Sequence, residues 1–243
     1  MKKSLLTAIF CLLSSSLIWA TPTPEDIVRK ADTFRGYPGS SFTMEIRIAS
    51  YKKNKKTQKT KMAVQVKAGK SLVNFLAPKR NIGRAMLFAG KNLWLKIPKT
   101  RKIIRISPAQ RLMGEASNGD VAGTNFIDDY TPTLIGEETI ENIPCYHLSL
   151  RAKDRKVTYA KLEYWVAIAS GKPVKSEHYA ISGKLLKIAL YKKYSQQNGG
   201  DKLSKLLLIN PIIEGSYTWM IYGEYRPLEI PDSQFRKENL NRL

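Results

Sequence analysis

The stretch Phe42-Thr43-Met44-Glu45-Ile46-Arg47-Ile48-Ala49 decides how the chain is read. Phe42, Met44, Ile46 and Ile48 alternate with Thr43, Glu45, Arg47 and Ala49, so every large apolar side chain falls on one face of a strand. The lysine-rich run 52–61 reads as the turn or hairpin tip that follows, and Met62, Val64 and Val66 then resume the alternation. Further strands are expected at 71–76, 86–89, 93–97 and 103–106, punctuated by Pro78, Gly83, Gly90 and Pro98. Turn signals at this spacing predict an antiparallel meander.

On the N-terminal side, Thr23-Pro24-Glu25-Asp26 has the signature of a helix start, with Thr as N-cap, Pro in the first turn and acids on the positive end of the dipole. Ile27, Val28, Ala31 and Phe34 then form one helical face, and Gly36 supplies a stop. On the C-terminal side, Ser107-Pro108 opens a second helical piece containing Leu112 and Met113, and 115–133 reads as loop with short helical turns. A second run of strands is expected at 145–150, 157–166, 174–181, 185–194 and 217–222, and a short helix from Asp232. The whole pattern describes one sheet-dominated domain over 21–243, a mainly β (α+β) fold in which a curved sheet carries helices on one face.

The 243 residues include 41 Lys and Arg against 20 Asp and Glu, a net charge of +21, yet 43% are hydrophobic, which excludes a disordered basic tail. The charge is concentrated. Between Ile46 and Gly114 there are 19 Lys and Arg and no acid, whereas the rest of the chain after residue 20 is balanced. Residues 1–20 form a separate object: Lys2 and Lys3, an apolar stretch from Leu5 to Trp19 interrupted by Ser14, Ser15 and Ser16, and then Ala20. That is the pattern of a cleaved secretory signal, and the stretch is short of the ~20 apolar residues of a spanning helix. Ile18 is an unusual residue two before the cut, so the cleavage position is expected at or near Ala20. Phe10 before Cys11 is too bulky for a lipidation signal. Export then leaves Cys145 as the sole thiol, so no internal disulfide forms, and a buried structural role is expected for it.

The search for reactive groups is largely negative. Gly69-Lys70-Ser71 is the tail of a phosphate-binding loop whose first glycine position is occupied by Val64, so a hairpin turn is expected there. His147 and His178 lie on separate strands without a companion ligand motif, which argues against a metal site and predicts two half-exposed strand histidines. No G-x-S-x-G elbow is present, and Gly39-Ser40-Ser41 reads as the turn before the first strand. Asp128-Asp129 is expected to be solvated rather than catalytic. Neither enzymatic activity nor a cofactor is expected. The basic block lacks a recognition helix, and in an exported protein nucleic acid is not its expected partner. Anionic lipid headgroups, an acidic protein partner or a merely solvated sheet face each account for it.

Four segments carry a resemblance. They are Gly90-Lys-Asn-Leu-Trp-Leu-Lys-Ile-Pro98, Thr100-Arg-Lys-Ile-Ile-Arg-Ile-Ser107, Gln110-Arg-Leu-Met-Gly114 through Gly123-Thr-Asn-Phe-Ile-Asp-Asp-Tyr130, and Pro231-Asp-Ser-Gln-Phe235. In this order they resemble the outer-membrane lipoprotein-sorting proteins with the LolA/LolB-like fold, over almost the whole chain after the signal. The resemblance implies a curved, incomplete antiparallel half-barrel whose concave face is covered by helices. It also implies a monomeric periplasmic carrier of lipoprotein acyl chains or lipid in a Gram-negative envelope, working between an inner-membrane donor complex and an outer-membrane acceptor. Phe42, Met44, Ile46, Ile48, Met62, Val64, Val66, Leu93, Leu95 and Ile97 would line the hollow, and Leu112, Met113, Phe126 and Ile127 would cover it; ordinary core packing is the alternative for each. In the covering segment 107–130, Gly114, Gly119 and Gly123 would permit hinge-like movement. The alternative is an envelope sensor, or an accessory subunit of a membrane transporter, that binds a protein partner through the basic block.

Overall fold

The computed structural model describes residues 21–36, 41–123, 125–197 and 199–242. Its strands are β1 (Phe42–Lys52), β2 (Lys55–Lys67), β3 (Lys70–Ala77), β4 (Ala85–Ala89), β5 (Asn92–Lys96), β6 (Ile103–Ile106), β7 (Arg111–Met113) and β8 (Ala116–Ser117). They continue with β9 (Tyr130–Ile140), β10 (Ile143–Ala152), β11 (Lys161–Ala167), β12 (Pro173–Tyr179), β13 (Leu185–Gln197), β14 (Gly200–Ile209), β15 (Tyr217–Tyr222) and β16 (Arg226–Pro227). The helices are α1 (Pro24–Thr33), α2 (Asn118–Ala122) and α3 (Phe126–Asp129), joined by 3-10 turns at Lys79–Asn81 and near the C-terminus.

Fourteen strands form one sheet in the order β6-β5-β4-β3-β2-β1-β15-β14-β13-β12-β11-β10-β9, with β16 pairing on β1. Neighbours along the path are antiparallel, and β6 and β9 remain as unjoined edges, so the sheet curves into an open half-barrel. The alternation that opened the reading decides which face is inside. Phe42, Met44, Ile46 and Ile48 of β1 and Met62, Val64 and Val66 of β2 are all buried, in one cluster with Leu148, Leu162, Tyr164, Leu206 and Met220 from the other half of the sheet. The helices close this concave face: Ile27, Val28 and Ala31 of α1, Val121 and Ala122 of α2, and Phe126 and Ile127 of α3 belong to the same cluster. Helix α1 starts as expected, with the Thr23 hydroxyl accepting the Asp26 N–H at 3.2 Å.

Several elements differ from expectation. The run 52–61 contains the expected hairpin tip, but it is confined to Lys53 and Asn54, with φ of 47° and 61°, and Lys55 onward is already β2. Two consecutive left-handed residues make the tight hairpin turn that matches strand twist, and the lysines project from a ladder that reaches beyond the covered face. Leu112 and Met113 lie on β7, paired with β8, rather than on a helix. Residues 153–160 precede β11 as a loop. Strands β9 and β14 were not anticipated. The C-terminal helix is a pair of 3-10 turns, Asp232–Phe235 and Lys237–Arg242, whose Phe235 and Leu240 pack with Leu72, Ala85, Leu87 and Ile230 in a second small core. The turn after β2 is as expected, with Ala68 and Gly69 at positive φ. Residues 1–20, and Gly39 and Ser40 of the turn expected before β1, lie outside the described residues.

Candidate functional site

Nine of the expected lining residues, Phe42, Met44, Ile46, Ile48, Met62, Val64, Val66, Leu93 and Leu95, are buried on the concave face, and Phe126 and Ile127 pack onto them. Ile97, Leu112 and Met113 are partly buried against the same cluster. The set therefore meets in one place, where the helices and the sheet fill the space between them. The large opening lies beside it. A cleft of about 1090 Å³ runs between the end of β5–β6, the segment 107–109, the loop 152–160 and the β12–β13 turn. Leu93 is the one expected residue that reaches it. Its apolar wall comes from Leu93, Ile106, Val157, Ile181 and Leu186, and Arg105, Arg155 and Lys156 bring positive charge to it.

The segment over the concave face is held by polar contacts buried among apolar ones. Asp120, in the first turn of α2, takes part in a capping box with Ser117. Its carboxylate also pairs with the Lys187 ammonium from β13 and accepts the Tyr159 hydroxyl at 2.7 Å. Burial pushes the Asp120 carboxyl up, but the Lys187 charge and the Ser117 N–H outweigh it and hold it below the ordinary carboxylate range. Burial likewise drives Lys187 below the usual lysine value, with Asp120 opposing. Lys187 donates a further bond to the Glu115 carbonyl at 2.8 Å. Beneath this pair, His178 bonds Ser176 at 2.8 Å and meets the Tyr159 ring edge-on. Burial and the Lys187 charge push His178 down to about 3, so it is neutral at physiological pH. It is fully buried, not half-exposed, because it stands in phase with Ser176 on the inner face of β12.

A second tie joins α1 to α3. The Ile127 N–H donates to Asp32 Oδ2 at 2.9 Å, and the Arg35 guanidinium lies 4.3 Å over the Phe126 ring. Phe126 in turn meets Tyr130 and Tyr164 edge-on. Burial raises the Asp32 carboxyl to about 7 despite the nearby Arg35 charge and the α3 N–H groups. A third tie fixes the start of the segment: buried Glu115 accepts from Asn210 at 3.1 Å and Ser216 at 2.9 Å, in the β14–β15 turn. Two of the expected hinge glycines are packing positions. A Cβ on Gly119 would collide with Thr158, and one on Gly114 with Thr218 and Ser50.

Cys145 is buried, as expected. Asp128 is exposed, while burial and the adjacent Asp128 charge raise the Asp129 carboxyl to about 6. Among the described residues, no three His, Cys, Asp or Glu side chains converge as a metal site would require. The reading of the sequence missed the Asp120–Lys187–Tyr159 network and the cleft loops. One signal was there: Lys187 stands in phase with the inward Ala189 and Tyr191, a lysine at a core position.

An open antiparallel half-barrel, apolar and helix-covered on its concave side and cleft at its mouth, defines the LolA-like class of folds. A LolA superfamily protein from Nitrosomonas europaea superposes with a TM-score of 0.84 at 32% identity, over 90% of this chain and 99% of that one. The chain belongs to the LolA superfamily. A family model described only as "Uncharacterized protein" matches residues 67–242. The fold recurs in a putative outer membrane lipoprotein-sorting protein domain from Vibrio parahaemolyticus (TM-score 0.74, 22% identity, 90% of this chain and 98% of that one). It recurs too in a DUF1329 family protein from Desulfovibrio piger (TM-score 0.74, 20% identity, 89% and 97%). No curated protein matches in sequence. No helix among the described residues is long and apolar enough to cross a membrane.

Proposed function

We propose that the protein is a non-enzymatic carrier that holds acyl chains of lipoproteins or lipids against its concave face and ferries them through the periplasm toward the outer membrane. The observation that carries this reading is the combination of a continuous apolar inner face with a segment, 107–130, held over it at a few polar ties. A cleft of about 1090 Å³ opens beside that segment at Leu93. That volume is slightly above the usual range of about 300–1,000 Å³ for small-ligand sites. An acyl chain gains ~0.8 kcal/mol for each buried CH₂ and gives up a similar amount on leaving a bilayer. Net preference for the protein is therefore small, which reversible hand-over requires. The cargo enters at the cleft and displaces the apolar side chains of the covering segment, among them Leu112, Met113, Phe126 and Ile127. The name of the Vibrio neighbour, a lipoprotein-sorting domain, supports the cargo class. In this reading the signal is cleaved near Ala20, and the monomer takes its cargo from an inner-membrane donor and yields it to an outer-membrane acceptor.

Organic extraction of protein purified from the periplasm, followed by mass spectrometry, tests the reading. Stoichiometric lipid or lipoprotein acyl chain is expected. Protein that carries no lipid and binds no fluorescent fatty acid would overturn it.

A further inference from the structure

The two most exposed large apolar side chains among the described residues, Ile181 at 83% and Ile212 at 71%, stand on neighbouring hairpin turns, with Ile213 beside them at 58%. Ile181 lies in the β12–β13 turn, and Ile212 and Ile213 lie in the β14–β15 turn. The pairing of Ile188 with Ile209 brings these two turns out at the same end of the sheet. The β1–β2 tip joins them there. Asn54 N–H donates to the Gly215 carbonyl at 3.2 Å, and Tyr51 stacks on Tyr217 with ring centroids 4.7 Å apart.

The β14–β15 tip is braced by hydrogen bonds. Asn210 Oδ1 accepts the N–H groups of both Ile212 and Ile213, at 2.9 and 2.8 Å, while its amide is anchored on buried Glu115. The turn thus holds two isoleucines outward on a braced backbone, where a flexible loop would let them fold back. Around them are exposed Lys52, Lys53, Lys55, Lys56 and Lys184, and Glu214 is the sole exposed acid in the three turns. An apolar point inside a collar of lysines matches an interface that is apolar below and anionic above.

We propose that this end of the half-barrel docks on a phospholipid bilayer bearing anionic headgroups, with Ile212 and Ile213 inserted among the acyl chains and the lysines on the phosphates. A protein partner fits less well. A stable protein interface buries ~800 Å² on each side, whereas these tips present only Ile181, Ile212 and Ile213 as large exposed apolar groups, with lysines around them. Ile181 also lines the cleft, so docking places the cleft mouth beside the membrane. The proposal does not depend on what the cleft holds.

Vesicle flotation tests it, using phosphatidylcholine vesicles with and without phosphatidylglycerol. Wild type is expected to float with the anionic vesicles only, and added salt to weaken binding. The double variant I212D/I213D is expected to lose about tenfold or more in affinity, because charge replaces the inserted groups. The variant I135D is the control: Ile135 is 58% exposed on edge strand β9, far along the sheet from the tip, and its binding should be unchanged. The variant Ile213→Trp should show an added blue-shifted emission, quenched by brominated acyl chains, on anionic vesicles. Absence of wild-type binding would overturn the proposal. So would equal loss in I135D, retained binding in I212D/I213D, or an emission from the Ile213→Trp variant that vesicles leave unchanged.

Discussion

The ammonium of Lys187 on β13 and the carboxylate of Asp120 on α2 pair inside the molecule, their side chains only 5% and 9% exposed. The bond joins strand β13 of the sheet to the short helix that covers it, so it braces the covering segment directly. Each charge exists in the interior only because the other is there, and Tyr159 and Ser117 satisfy the remaining acceptor positions. Removing one partner strands the other.

Lys187→Met is therefore expected to destabilise the protein by about 3–5 kcal/mol, the usual consequence of leaving a buried charge unpaired. The double variant K187M/D120N should lose clearly less than K187M alone, because Asn removes the stranded charge and keeps an acceptor for the α2 cap. Urea unfolding of the four proteins gives the coupling directly. Additive losses would show that the pair is not the brace described.

Asp32 leads to a pH prediction. Its folded value, about 7, lies above its ordinary one near 3.8, so the folded state holds a proton that the unfolded chain releases. Stability is greatest below about pH 4 as far as this group is concerned, and falls as pH rises toward 7. Asp32→Asn, which keeps an acceptor for the Ile127 N–H, should match wild type near pH 4 and exceed it at pH 8 by about 2 kcal/mol or more. Thermal unfolding at the two pH values checks this, and a variant weaker than wild type at pH 8 would contradict it.

Gly119 lies in α2 against Thr158, with no room for a methyl group. Gly119→Ala should destabilise by about 1–3 kcal/mol through overpacking. Thr158→Ala in the same background should recover part of the loss by removing two of the three crowding atoms. If G119A is as stable as wild type, the helix moves away from the loop without penalty.

Leu112→Asp and Met113→Asp put a charge at the partly buried edge of the covering segment, on β7. With the sheet left intact, each should weaken closure and speed the release of a fluorescent fatty acid by about tenfold. Stopped-flow displacement measures the rate. Release unchanged from wild type in both variants would separate β7 from the control of cargo.

What could be read from the sequence follows burial. Strand β1 and the second half of β2 announce themselves because one face is buried and the other is not, and in β11 the inward Leu162, Tyr164 and Val166 keep the same period. The first residues of β2 run past the covered face, so Lys55 to Lys61 carry no apolar period and resemble a loop. Strand β14 ends in Leu206-Leu207-Leu208-Ile209, where continuous apolarity hides the alternation of the buried Leu206 and Leu208 with Leu207 and Ile209. Edge strand β9 is buried only at Tyr130 and Pro132, and proline is tolerated there because an edge needs no donor on its free side. The buried apolar face of the sheet was visible residue by residue. The cleft was not, since loops 152–160 and 180–182 meet the end of β6 only through the curvature of the whole sheet.

The unjoined strands β6 and β9 have a mechanical consequence. In a closed barrel the girth is set by strand number and shear, and no cargo widens it without breaking a ladder. Here no ladder joins β6 to β9, so small changes of twist at each junction along the path would alter the separation of the two halves with every existing inter-strand bond kept. On the carrier reading proposed above, acyl chains of different thickness would then be held at the same number of inter-strand hydrogen bonds.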